Sequence, residues 1–68
     1  MARLVITNGV DTARFNPQRQ YFDIYDHLKD NFGWDHDAAD EVASWAEMAA
    51  PGSTFVTDEP ELEIYIEE

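Results

Sequence analysis

Cysteine is absent from this 68-residue chain, so neither a disulfide framework nor a thiolate metal site can brace the fold, and apolar packing has to hold it. Basic residues are almost as scarce: Arg3, Arg14, Arg19 and Lys29 stand against 15 carboxylates, for a net charge of −11. A surface of that sign repels phosphates and acidic headgroups, which excludes direct nucleic-acid binding and attachment to an anionic membrane. Glycine and proline number three each, there is no glycine-rich phosphate loop, and no linker, repeat or low-complexity tract divides the chain. No apolar run approaches the roughly 20 residues of a membrane span, and the start lacks the pattern of a secretory signal. A soluble, cytoplasmic protein is expected.

What is present fits one domain, because a chain this short buries only about 60% of its unfolded surface and cannot build two cores. Two Trp, three Tyr and four Phe supply the large apolar areas that such a core needs.

Leu4, Val5, Ile6 and Thr7 read as a strand, and Asn8-Gly9 follows as a two-residue hairpin turn with a return strand from Val10 to Phe15. In that register Leu4, Ile6, Ala13 and Phe15 share one face, and Arg3, Val5, Val10, Thr12 and Arg14 share the other. Asp11 then falls opposite Ile6, so a longer loop with a shorter second strand is the alternative. Asn16-Pro17 reads as a helix start, with Tyr21, Tyr25, Leu28 and Phe32 on one face and Gly33 as the left-handed terminator. A start as late as Asp23, with residues 19–22 as strand, is the alternative. Asp35 caps a second helix with the stripe Ala38, Ala39, Val42, Trp45, Ala46 and Ala49, ended by Pro51-Gly52, and the short connection implies an antiparallel helical hairpin. Leu62, Ile64 and Ile66 alternate with Glu61, Glu63, Tyr65 and Glu67 in the last strand. Ser53 to Thr57 pairs with it across the turn Asp58-Glu59-Pro60. The expected fold is α+β: a small antiparallel sheet in ββααββ order with the helical hairpin packed on one face.

Few constellations carry chemistry. Asp35, His36, Asp37 and Asp40 contain a possible metal pair, since His36 and Asp40 lie four apart on a helix, but capping and the helix dipole already account for acidic residues at a helix start. His27 with Asp26 or Asp30 could be drawn as a general base, yet no nucleophile stands beside it, and Ser44 and Ser53 lack the glycine-flanked turn that presents a catalytic serine. The expectation is therefore no catalytic residue, no metal and no cofactor.

The carboxylates themselves are the distinctive feature. The first 29 residues hold every basic group against Asp11, Asp23 and Asp26, a balance of +1, whereas the other 39 hold twelve carboxylates and neither Lys nor Arg. Asp23, Asp26 and Asp30 fall on one exposed stripe of the first helix, Asp37, Asp40, Glu41 and Glu47 on the second, and Glu61, Glu63 and Glu67 on the solvent side of the last strand. Rows of negative charge resemble a nucleic-acid backbone, and a basic cleft attracts them by long-range steering and release of bound ions. The expected contact residues are Asp23, Asp26, Asp30, Asp40, Glu41, Glu47, Glu61, Glu63 and Glu67, with Trp34 or Tyr65 as an apolar anchor.

In length, excess of carboxylate and a compact sheet with two helices, the whole chain resembles the small anti-defence proteins of phages and mobile elements, including anti-CRISPR proteins and anti-restriction DNA mimics. A ββαα core followed by a strand is similar to one acidic anti-CRISPR family, from which the extra strand of the C-terminal hairpin departs. The resemblance implies an inhibitor in a host cell's cytoplasm that occupies the nucleic-acid channel of a defence complex. Three other readings compete with it: an interaction module of antitoxin-like or assembly type, a small metal-dependent enzyme, and an acidic surface adapted to high salt.

Overall fold

The computed structural model describes residues 2–57 and 62–67. Six elements follow one another: β1 (Arg3–Thr7), β2 (Thr12–Phe15), α1 (Tyr21–Phe32), α2 (His36–Met48), β3 (Thr54–Phe55) and β4 (Glu63–Glu67). The strands form one antiparallel sheet in the order β2-β1-β4-β3, giving the ββααββ α+β arrangement expected from the sequence. The two hairpins were legible one by one, and the β1–β4 pairing joins them at the centre. β1 takes a central place because Leu4, Val5 and Ile6 are consecutive and all buried, which requires cover on both faces of the strand.

The first hairpin does not close with a two-residue turn. Leu4 pairs with Phe15, Val5 with Arg14, Ile6 with Ala13 and Thr7 with Thr12, leaving residues 8–11 as the loop. Asn8 Oδ1 accepts from the N–H groups of Val10 (3.0 Å) and Asp11 (2.8 Å), Asn8 N donates to Asp11 O (3.2 Å), and Gly9 supplies a φ of 89°. The tighter register would have set Asp11 against Ile6 in the core. A slip of two residues removes that conflict and keeps every side chain on its face, because the strand period is two. Val10 therefore leaves the strand and stands exposed at the loop.

The first helix also starts later than its sequence signal. Asn16 caps a single turn, with Gln18 N bonded to its Oδ1 (3.0 Å) and Arg19 N and Gln20 N bonded to its carbonyl. The Gln20 side chain then folds back to accept from Asn16 N at 2.6 Å, and Gln20 leaves helical geometry at φ −112° and ψ 40°. The helix restarts at Tyr21, and residues 19–22 form no strand. Ile24 and Leu28 are the fully buried centre of α1, with Tyr21, Tyr25 and Phe32 half-buried beside them. Gly33, at φ 67° and ψ 23°, ends the helix as expected, its N–H directed to the carbonyls of Leu28 and Lys29. Asp35 caps α2 through Oδ1, which accepts from Ala38 N at 2.9 Å.

Ala39, Val42, Ala43 and Ala46 line the buried side of α2, and their small size lets the two helices approach closely. They close one core with Leu4, Ile6, Ile24, Leu28, Leu62, Ile64 and Ile66. Both helices therefore lie on the sheet face that carries Leu4, Ile6, Ile64 and Ile66. The flanks are sealed by ring contacts, Phe15 with His27 of α1 and Trp45 of α2 with Phe55, each at 5.3 Å between centroids. β3 is shorter than the expected Ser53–Thr57 strand, pairing only Thr54 with Tyr65 and Phe55 with Ile64. Gly52 N and Ile66 N extend the contact by bonding Ile66 O and Ser53 O. The turn expected at Asp58-Glu59-Pro60 lies outside the described residues.

Candidate functional site: the acidic helical layer

With the apolar stripes of α1 and α2 turned to the sheet, their opposite sides form one outer layer. Asp23, Asp26 and Asp30 stand exposed on α1, away from Ile24 and Leu28. Asp37, Glu41 and Glu47 stand exposed on α2, and Asp40 is half-buried beside them. Between Tyr21 and Met48 the one Lys or Arg is Lys29. Its ammonium donates to Tyr25 Oη at 3.4 Å and lies 5.2 Å from the centroid of that ring, so it is drawn along its own helix. Among the described residues, no carboxylate of this layer has a Lys or Arg partner within ion-pair distance; Asp23 accepts only from the Gln20 amide, at 3.0 Å.

The open face of the sheet is different. Because Ile64 and Ile66 point to the helices, Glu63 and Glu67 point the opposite way. There Arg3 is the strand partner of Glu67, and Arg14 Nε donates to Glu67 Oε1 at 2.9 Å, reaching across β1. Beneath this pair lies Val5, 0% exposed although it is on the face away from the helices, with Arg14 and Tyr65 as its cross-strand partners. The arginine stem and the tyrosine ring thus do the covering that a second layer would do.

The single acidic surface expected from the sequence is therefore two surfaces. Asp23, Asp26, Asp30, Asp40, Glu41 and Glu47 lie on the helical layer, with Asp37. Glu63 and Glu67 lie on the open face of the sheet, where Arg14 pairs with Glu67 and Glu63 stands exposed opposite Thr7, and Glu61 lies outside the described residues. Separation of charge along the chain did not translate into the same separation in space, because β1 and β4 pair and bring Arg3 and Arg14 over the glutamates.

Neither expected anchor stands free. Trp34 is half-buried against the core, and Tyr65 is half-buried on the open sheet face between Val5 and Thr54. The large apolar side chains exposed on the helices are Phe22 (75%) and Met48 (85%), which sequence reasoning passed over. Their signal was available: both fall outside the apolar stripes of their helices.

The remaining polar groups have structural partners. His36 Nδ1 lies 2.5 Å from Tyr25 Oη, Asp35 is spent on the cap, and among the described residues no three His, Asp or Glu side chains converge as metal ligands. His27 packs between the rings of Phe15 and Phe32 with Asn31 Nδ2 at 3.1 Å from its Nδ1, and burial pushes its pKa below the usual imidazole value. Ser44 lies exposed on α2 and Ser53 precedes β3, neither on a strained turn between strand and helix. An open groove of about 400 Å³ runs from the α1–α2 connection to β3, with Phe32, Trp34 and Phe55 among its walls and Asp35 and Glu41 as its charged lining. Among the described residues, no helix is long and apolar enough to cross a membrane.

No protein-family model matches the chain, and neither a curated protein nor a solved structure matches it.

Proposed function

We propose that the protein is a non-enzymatic binding protein whose helical layer enters a positively charged, nucleic-acid-binding groove of a partner protein and blocks it. The observation that carries this reading is the set of seven helical carboxylates that have no Lys or Arg partner among the described residues, set against a sheet face where Arg14 pairs with Glu67. Like charges three and four apart on a helix raise the energy of the folded chain, so nothing in the packing calls for them. A basic groove supplies the missing counter-charge, and the gain appears in association rate and partner choice. The architecture and charge shared with anti-defence proteins favour a defence complex of the host as the partner. Glu63, Glu67 and Tyr65 drop out of the contact surface, and Phe22 and Met48 enter it as apolar contacts at the helical surface.

The test is capture of host proteins on the immobilised chain, with a Asp26→Lys/Glu41→Lys variant and a Glu63→Lys variant in parallel. The reading expects nucleic-acid-binding proteins, retained at low salt, released at high salt, lost with the helical variant and kept with the sheet variant. Partners that survive high salt and both variants would contradict it. They would favour the second reading, a salt-insensitive interaction module, for which exposed Phe22 and Met48 are the supporting observation.

A further inference from the structure

We propose that the groove at the α1–α2 junction receives the guanidinium of an arginine side chain displayed by the basic partner; the inference rests on the reading of the helical layer given above. The groove is contiguous with that layer through Glu41, which belongs to both. Its volume of about 400 Å³ lies in the range of roughly 300–1,000 Å³ found for small-ligand pockets, ample for one long side chain.

The chemistry of the walls selects the occupant. Phe32, Trp34 and Phe55 offer aromatic surface, and Asp35 and Glu41 offer negative charge, with no Lys or Arg in the lining among the described residues. A planar cation that stacks on rings while donating to carboxylates fits this combination, and arginine fits it better than lysine, whose compact ammonium is more strongly hydrated. The N-terminus of α2 opposes a cation here with roughly half a unit of positive charge. Asp35 alone outweighs it: Oδ1 is held by Ala38 N, and its second oxygen has no protein hydrogen bond among the described residues. Glu41, six residues further on, adds a second full charge to the lining of the same groove. An anion is excluded by the same arithmetic, and a neutral apolar ligand would leave both carboxylates facing it without a counter-charge.

The experiment titrates the isotope-labelled full chain with Nα-acetyl-arginine methylamide, which has one positive charge and a neutral backbone, and follows the amide and indole signals by NMR. Nα-acetyl-citrulline methylamide, its near-isosteric neutral counterpart, and Nα-acetyl-lysine methylamide serve as comparators. The expected result is saturable, millimolar binding of the arginine probe, with shifts concentrated at Gly33, Trp34 including its indole N–H, Asp35, Ala38 and Glu41. Citrulline gives no saturable shift, and lysine binds more weakly than arginine. Glu41→Gln, an exposed change that leaves the core untouched, weakens arginine binding about threefold or more, as loss of one charged contact implies. Shifts that stay linear and spread equally over Asp23, Asp26 and Asp30 would overturn the inference, as would equal binding of citrulline or of lysine. A groove that ignores arginine while helical charge reversals still abolish partner capture sinks this inference alone. Arginine entering the groove while capture ignores helical charge upholds the groove and sinks the functional reading instead.

Discussion

The helical layer and the open face of the sheet are built from similar polar residues, yet they handle charge in opposite ways. On the sheet, Glu67 has neighbours of opposite sign: Arg3 stands beside it, and Arg14 bridges to it over a buried Val5. On the helices, the charged neighbours three and four apart have the same sign in Asp23/Asp26, Asp26/Asp30, Asp37/Asp40 and Asp37/Glu41, and opposite sign in Asp26/Lys29. The four pairs of like sign together cost about 1–2 kcal/mol at low salt. The fold tolerates this because the packing of Ile24, Leu28, Val42 and the alanines behind the layer does not depend on its outer charges. The difference teaches that surface charge here is not a uniform solubility device, since a device of that kind would act on both faces.

The comparison breaks most visibly in binding. The double reversal Asp26→Lys/Glu41→Lys lowers affinity for a captured basic partner on the order of 100-fold at low salt, whereas Glu63→Lys changes it by less than about threefold. Isothermal titration with each variant measures both; equal losses would erase the distinction between the faces. Salt gives the next effect. Screening of the helical layer raises the thermal midpoint by about 5–10 °C between dilute buffer and molar salt, near the shift that 1–2 kcal/mol produces in a domain of this size. A chain already unfolded in dilute buffer would mean instead that acidity serves a high-salt habitat.

Two substitutions sharpen the contrast at the level of about 1 kcal/mol. Arg14→Ala costs about 1 kcal/mol more than Arg3→Ala in chemical denaturation, because it uncovers Val5 as well as releasing Glu67. Asp35→Ala costs about 1 kcal/mol by loss of the α2 cap, although neutralising Asp26 or Asp30, neither in the first turn of its helix, stabilises the chain by a few tenths. Asp35 is thus an acidic residue whose position the fold uses, as are Asp23 and Asp37 in the first turns of their helices.

The smallest effect concerns His27. Burial holds its folded pKa below 6.5, so the unfolded chain binds a proton first as pH falls. Stability is fully present above pH 6.5 and is lost as pH drops through the folded value, and His27→Gln removes that slope. Denaturant titrations across this window check the sign.

The element order, the Gly33 and Asp35 caps, and the faces of both hairpins were legible from local patterns, because turn chemistry and two-residue alternation are written in neighbouring residues. Three features were not. The turn at Asn16 followed its signal, but Gln20 reached back to the Asn16 N–H and broke the helix, a competition between two good partners that spacing cannot rank. The β1–β4 pairing depends on residues about 60 apart, and it places Glu63 and Glu67 away from the helices, with Glu67 beside Arg3 and Arg14. Phe22 stays outside the core because the stripe is centred on Ile24 and Leu28, which leaves no room for a third direction. Six of the nine acidic residues singled out from the sequence lie on the two helices, whose faces were legible because helix periodicity, unlike strand pairing, is a local property.

The electrostatic difference between the two faces can be read without any partner. Relaxation of amide protons by a cationic nitroxide, divided by that from its neutral analogue, reports local potential along the backbone. The account predicts a ratio well above one at Asp23, Asp26, Asp30, Asp37 and Glu41, and near one at Arg3, Thr7, Thr12 and Glu67. Equal ratios on the two faces would contradict it.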